Sequence, residues 1–256
     1  MLVAVVLGVG VGGVLGVLGG GGSILAVPAL VYGLHQPMAQ AVPTSLLVVG
    51  VSAAAGAVPK LRTGDIRWAV AAVFGGAGIA TAFAGSWLNH RLPETALLAG
   101  FAVLMGVVGV HMLRGAGPPT ESRAHPLSSG RMFSVGAAGV VVGFLTGLFG
   151  VGGGFVIVPA LVLILGLPMK AAIATSLVVI VVNSVAGLVA HLGQSTIDLA
   201  TAASFTAGGV LAALAGSRLS RAADDRRLTR WFGVLVCGIA AAILLRLTMT
   251  DGPPIG

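Results

Sequence analysis

The stretch GVLGGGGSILAVPALV, Gly16 to Val31, returns 131 residues later as GLFGVGGGFVIVPALV, Gly147 to Val162. The same shift carries Pro37-Met38 onto Pro168-Met169 and Thr44-Ser45-Leu46 onto Thr175-Ser176-Leu177. It also carries Phe74 onto Phe205 and Gly85-Ser86 onto Gly216-Ser217. From residue 16 to residue 88 no gap is needed, and roughly thirty positions are identical, the signature of an internal repeat. Met1 falls on Met132, so the first copy is expected to be whole. The chain therefore reads as a duplicated unit of about 130 residues: repeat 1 over 1–114, a polar linker over 115–130 with Pro118, Pro119, Glu121 and Arg123, and repeat 2 over 131–256.

What surrounds the repeat decides its solvent. Of 256 residues 57% are hydrophobic and 8% charged, and the mean hydropathy is +1.07. A soluble domain carries about a quarter charged residues, so this chain cannot cover a water-facing surface of its own size. Apolar runs occupy 1–19, 23–34, 38–58, 67–88 and 95–113, then 131–150, 153–166, 170–191, 197–219 and 229–248. Most have the roughly 20 residues that cross about 30 Å of hydrocarbon. The runs 23–34 and 153–166 are too short for a comfortable crossing; each follows a glycine cluster and holds a proline, Pro28 or Pro159. The expected fold class is an all-α polytopic membrane protein, each repeat having four long hydrophobic helices and one short Gly/Pro-broken helix. The net charge of +7 does not make a nucleic-acid module, because the basic residues lie in short loops between apolar runs. The first run has no Lys or Arg before it, so a cleaved signal peptide is not expected.

Counting five runs per repeat puts 12 of the 14 Lys and Arg residues on one side, leaving only Arg91 and Arg246 on the other. With four crossings per repeat the bias nearly vanishes. The positive-inside rule thus predicts inverted repeats, a cytoplasmic linker and both termini outside. Parity is the same if the first two runs of each repeat form a re-entrant hairpin, and charge counting leaves the two forms open.

The clusters Gly19-Gly20-Gly21-Gly22-Ser23 and Gly150-Val151-Gly152-Gly153-Gly154 cannot hold a helix well, since each glycine costs about 1 kcal/mol against alanine. Open backbone at membrane depth is tolerated only against protein or a water-filled cavity. At corresponding points of two repeats it points to a transport site. A plain packing crossover is the competing reading, and it accounts for the GxxxG spacings at Gly8, Gly12 and Gly16 and at Gly139, Gly143 and Gly147. Those outer glycines are expected to tolerate alanine, whereas valine at Gly22 or Gly153 is expected to abolish transport. Thr44-Ser45 and Thr175-Ser176 follow the turns at Pro37 and Pro168; their hydroxyls can bond back to the preceding turn or reach a ligand. Ser52 and Asn183 align with each other two turns further on.

The absences narrow the chemistry. No Asp or Glu lies in the middle of a run, and Asp65, Glu94 and Asp198 only flank them, which disfavours a proton relay or a cation site. The five histidines and Cys237 show no metal-ligand spacing and no nucleophilic arrangement, so no metal, no cofactor, no catalytic residue and no enzyme are expected. Gly8-x-Gly10-x-x-Gly13 matches a dinucleotide fingerprint by letter, but has neither a strand before it nor an acid after it. Lys60 and His191 align at the end of the third run; they read as plain interfacial charges, with residues flanking a mouth as the alternative.

The duplicated G-x-x-G-x-G-G-G stretch, the PALV that follows it and the PM-(x)5-TSL pattern resemble the TauE/SafE sulfite exporter family, also called the four-toluene-sulfonate uptake permease family. The resemblance covers both halves. It implies a multi-pass transporter of the bacterial inner membrane whose substrate is a small anion such as sulfite, sulfoacetate or a related sulfonate. Ser23 stands where the second repeat has Gly154, and Val151 interrupts the second cluster, so the anion contacts are not carried over letter by letter. A small anion needs positive potential, and helix N-termini supply about half an elementary charge each without a buried cation. The expected site lies between the repeats, lined by Gly21, Gly22, Ser23, Gly152, Gly153 and Gly154, with Thr44, Ser45, Thr175 and Ser176 and, further along, Ser52 and Asn183. The partners expected are the anion and the lipid bilayer. A carrier for a different small metabolite and a non-transporting membrane assembly protein are the alternatives.

Overall fold

A computed structural model describes residues 2–89, 91–114, 129–149, 154–191 and 198–250. Every regular element among them is helical. Helix α1 (Leu2–Leu18) ends at Gly19, whose φ of 76° turns the chain back. That conformation costs a side chain about 1 kcal/mol or more, which explains a glycine here. A 3₁₀ turn (Gly20–Gly22) leads into α2 (Ser23–Pro28), which widens to a π-helical turn over Ala29–Gly33. Pro28 lacks an N–H and its ring crowds the carbonyl four residues back, so the ladder loosens from there. The copy repeats this: α7 (Gly154–Pro159) widens over Ala160–Ile164. Both end in a left-handed residue, His35 at φ 53° and Gly166 at φ 62°, positions related by the shift of 131. The Gln36 N–H bonds the Leu30 carbonyl at 3.1 Å, and the Leu167 N–H bonds the Leu161 carbonyl at 3.0 Å.

The remaining helices are α3 (Met38–Leu61), α4 (Trp68–Asn89), α5 (Glu94–Arg114), α6 (Ser129–Phe149), α8 (Met169–His191), α9 (Leu199–Ala222) and α10 (Asp225–Thr250). Seven of the described helices are long and apolar enough to span a membrane; α1, with 17 residues, is slightly shorter. The segment Gly20–Gly33 would reach only about 21 Å as an α-helix. It doubles back along α1: Gly22 lies against Val11 and Leu15, and Gly33 against Leu7. The first two runs therefore form a helical hairpin with its tip inside the protein.

The halves exchange partners. Helix α1 packs on α9, α6 on α4, α5 on α10 and α3 on α8. Helices α3 and α8 are the central pair: 56% and 50% of their spans are buried, against 28–33% for the other five. Two glycine seams bring backbones together. A methyl group on Gly8, Gly12 or Gly16 would overlap the carbonyl of Phe205, Gly209 or Ala213 on α9. The counterparts are Gly139, Gly143 and Gly147 of α6 against the carbonyls of Phe74, Gly78 and Ala82 on α4. Here the expectation of alanine tolerance at Gly8 and Gly139 is corrected. GxxxG spacing shows which face is in contact, but not how near the partner backbone comes, and these partners leave no room for a Cβ.

Candidate functional site

The hairpin tip of repeat 1 meets the start of α7 in the interior. A Cβ on Gly20 would collide with the Gly154 carbonyl, and one on Gly154 would collide with the Ser23 hydroxyl. A Cβ on Gly19 would stand 2.6 Å from Ser176 Oγ and 3.2 Å from the Ile173 Cα on α8. Gly19, Gly20, Ser23, Gly154 and Ser176 thus form one crossing between the halves, all of them buried. Phe155, next in the chain, lies in an aromatic cluster beside it. Its ring is 5.8 Å from Phe101 and 6.2 Å from Phe232, and Phe101 is 5.3 Å from Phe149.

The other expected residues have different surroundings. Gly21 faces Leu235 and Val14, and Gly22 faces the Val11 carbonyl, so both serve hairpin packing on these sides. Gly152 and Gly153 lie outside the described residues, as do Gly150 and Val151. Three hydroxyls take the back-bonded arrangement: Ser23 Oγ donates to the Gly20 carbonyl at 2.7 Å, Ser45 to Val42 at 2.7 Å and Ser176 to Ile173 at 2.9 Å. Each satisfies its own proton locally and keeps its lone pairs free.

The two threonines part company. Thr175 Oγ1 accepts the Arg67 N–H at 3.1 Å, so a helix of repeat 2 caps the start of α4 in repeat 1. Thr44 is fully buried, and its hydroxyl has no hydrogen-bond partner. At the position matching Arg67, Asp198 caps α9 through the N–H groups of Ala200 and Thr201. The Thr201 hydroxyl bonds its other oxygen at 2.5 Å, and this bond, ahead of the backbone ones, holds the Asp198 carboxyl below its ordinary pKa. Ser52, fully buried beside Gly209, and Asn183 also present side-chain oxygens without partners. Such orphaned polar atoms are uncommon in a packed interior and mark places where water or a ligand completes the bonding.

In chemical terms the crossing offers open backbone, hydroxyls and helix starts, with no charged side chain among the residues named. That suits a small anion or a neutral polar group better than a cation. Among the described residues no group of three His, Cys, Asp or Glu side chains could hold a metal.

Lys60 is the residue that sequence reasoning misplaced. It is not an interfacial charge but is 1% exposed, with its Nζ 3.2 Å from Ser220 Oγ on α9. A signal existed: Ser52, Gly56 and Lys60 are spaced four apart on one helix face, and all three are buried. The covering residue, 160 positions away, could not be read from that spacing.

Residues 4–243 match the family profile described as Sulfite exporter TauE/SafE. A protein of Xylella fastidiosa (strain Temecula1 / ATCC 700964), named a probable membrane transporter protein, is 36% identical over 245 residues, covering 92% of each chain. One of the same name from strain 9a5c is 33% identical over 240 residues, again 92% of each. The probable membrane transporter protein YunE of Bacillus subtilis (strain 168) is 27% identical over 267 residues, 95% of this chain and 97% of its own. No solved structure matches the chain with significance.

Proposed function

The chain belongs to the sulfite exporter TauE/SafE family of multi-pass membrane transporters, and from that premise we propose that it carries small sulfur oxyanions or organosulfonates across a bacterial inner membrane. The observation that carries this reading is the meeting of the first hairpin tip with the start of α7, Gly20 on Gly154, with Ser23 and Ser176 beside it. Helix starts and hydroxyls converge there, and that combination attracts an anion without requiring a buried cation.

In this reading the halves are inverted repeats, and alternating access is a rocking of one against the other around the crossing. The exchanged pairs α1 with α9 and α4 with α6 support it, since each half would then move with a helix of its partner. The hairpins are re-entrant, the 115–130 linker is cytoplasmic and both termini are periplasmic, from the basic asymmetry. Backbone amides of Gly21, Gly22, Gly152 and Gly153 and the hydroxyls of Thr44, Ser45, Thr175 and Ser176 would meet the anion, the orphaned Thr44 hydroxyl gaining its partner from it.

The test is movement of sulfite, thiosulfate and sulfoacetate in both directions across vesicles holding the purified chain. Saturable flux of at least one, competed by the others, is expected. Folded protein that moves none of the three overturns the reading.

A further inference from the structure

We propose that Lys60, Lys170 and Arg221 form a capture site for a small free oxyanion, at the end of the bundle where α3 and α9 finish and α8 begins. Lys60 stands in the last turn of α3. An ammonium has three donors, and among the described residues this one has a single acceptor, the hydroxyl of the fully buried Ser220. Lys170 Nζ donates to the carbonyl of the next residue, Arg221, at 3.1 Å. Two ammoniums thus hold neighbouring residues of the last turn of α9, and the charges of Arg221 and Lys170 both act on Lys60. Burial rises inward along the series: Arg221 is exposed, Lys170 half-buried and Lys60 buried.

Against three cations the protein sets one nearby carboxylate. Asp65 is the acid whose charge reaches Lys60, and it accepts a hydrogen bond from the Thr63 hydroxyl at 2.5 Å, not from an ammonium. The one ion pair among the described residues is Arg227 with Asp224, in the turn that follows α9, so that carboxylate is already taken by an arginine. The helix C-termini of α3 and α9 offset part of the charge, and Lys170 already takes the Arg221 carbonyl. Burying a cation is costly unless a counter-charge and hydrogen bonds accompany it. An oxyanion between Lys60 and Lys170 would supply both, with several acceptor atoms for the free N–H groups.

The site faces one way only. At the positions shifted by 131, Lys60 is matched by His191, Lys170 by Ala39 and Arg221 by His90. Arg91, near the opposite end, stacks 3.9 Å over the exposed Trp87 ring. Thr175 lies five residues into α8 from Lys170, about 7.5 Å along the helix, so the capture site leads toward one hydroxyl pair and not the other. On the anion-transport reading, on which this role rests, the basic mouth loads its substrate at lower concentration than the far mouth does.

Binding of sulfite and sulfate to the purified chain in lipid-free detergent tests the site without requiring transport, with chloride as the control. Wild type should bind both divalent anions. Lys60→Met should weaken binding at least tenfold and Lys60→Arg less than threefold. If Lys60→Met fails to fold, Lys170→Met and Arg221→Met should each weaken binding about threefold. No binding by the wild type overturns the proposal. So does Lys60→Met binding within twofold of wild type with a lowered melting temperature, which would make Lys60 a helix-capping residue. Stabilisation by added phosphatidylglycerol but by neither free anion also overturns it, assigning the cluster to lipid headgroups. Lys60-dependent binding without flux in vesicles keeps this site and sinks the transport reading instead.

Discussion

The two halves share a register of 131 residues, yet the same position does not always do the same work. Along the seams it does: Gly8, Gly12 and Gly16 press on α9 as Gly139, Gly143 and Gly147 press on α4. At the helix starts it does not. Helix α4 takes its first cap from Thr175 in the other half, whereas α9 is capped by its own Asp198. Thr44, the mate of Thr175, is left without a partner. Where two copies must fit against each other, the fit constrains both alike. Where a side chain is free of that constraint, matching positions take different partners, as Thr44 and Thr175 do and as Arg67 and Asp198 do.

The largest effect tests the shared part. Gly12→Ala and Gly143→Ala should each deplete folded protein, because the added methyl overlaps the Gly209 or Gly78 carbonyl. Overpacking of this kind costs about 1–3 kcal/mol, and more where the obstacle is backbone. Gly10→Ala, two residues from Gly12 with nothing within 4 Å of its Cβ position, should fold as well as wild type or slightly better. Melting temperature and the monodisperse fraction on size exclusion read both. Equal behaviour of Gly10→Ala and Gly12→Ala would break the seam, and a loss at Gly12 without one at Gly143 would break the equivalence of the halves.

The next effect tests the divergent part. Thr175→Val removes the acceptor of the part-buried Arg67 N–H and should destabilise by about 0.5–1.5 kcal/mol, the net contribution of a typical hydrogen bond. Thr44→Val removes a hydroxyl that has no partner, so it should be neutral or mildly stabilising. Sulfite flux per folded molecule should fall in both if one anion site draws on both halves. Equal stability of the two variants would mean that the capping contact does not hold α4. Undiminished flux in Thr44→Val would remove that hydroxyl from the site.

Much of this was legible in the sequence for physical reasons. Bilayer thickness fixes run length, so the ten apolar runs fall on the ten α-helices among the described residues, the short ones on α2 and α7. Consecutive glycines forecast broken backbone at Gly19–Ser23, and the repeat register carries the π-helical turn after Pro28 onto the one after Pro159. The meeting of the first tip with α7 was less legible, since it depends on which helices exchange between halves. The seams were misjudged because spacing carries direction without distance. Lys60 was misjudged because a lysine at the end of a run ordinarily reaches the interface, and only the arrival of Ser220 from α9 buries it.

The smallest effect concerns a place where the backbone is shared and the residue is not. His35 and Gly166 occupy the same left-handed position after the π turns, at φ 53° and 62°. A residue with a Cβ pays about 1–2 kcal/mol for that conformation, and glycine adopts it freely. Glycine also gains entropy when the chain unfolds, which returns part of the benefit. His35→Gly should therefore raise stability by a few tenths to about 1 kcal/mol, with flux unchanged, whereas Gly166→Ala should lower it by a similar amount. Nothing lies within 4 Å of a Cβ at Gly166, so its loss would report backbone strain alone and not packing. Thermal midpoints of the two variants against wild type make the measurement. If His35→Gly lowers the midpoint, the imidazole contributes more than its backbone costs, and the first repeat has found a use for a side chain where the second kept only the turn.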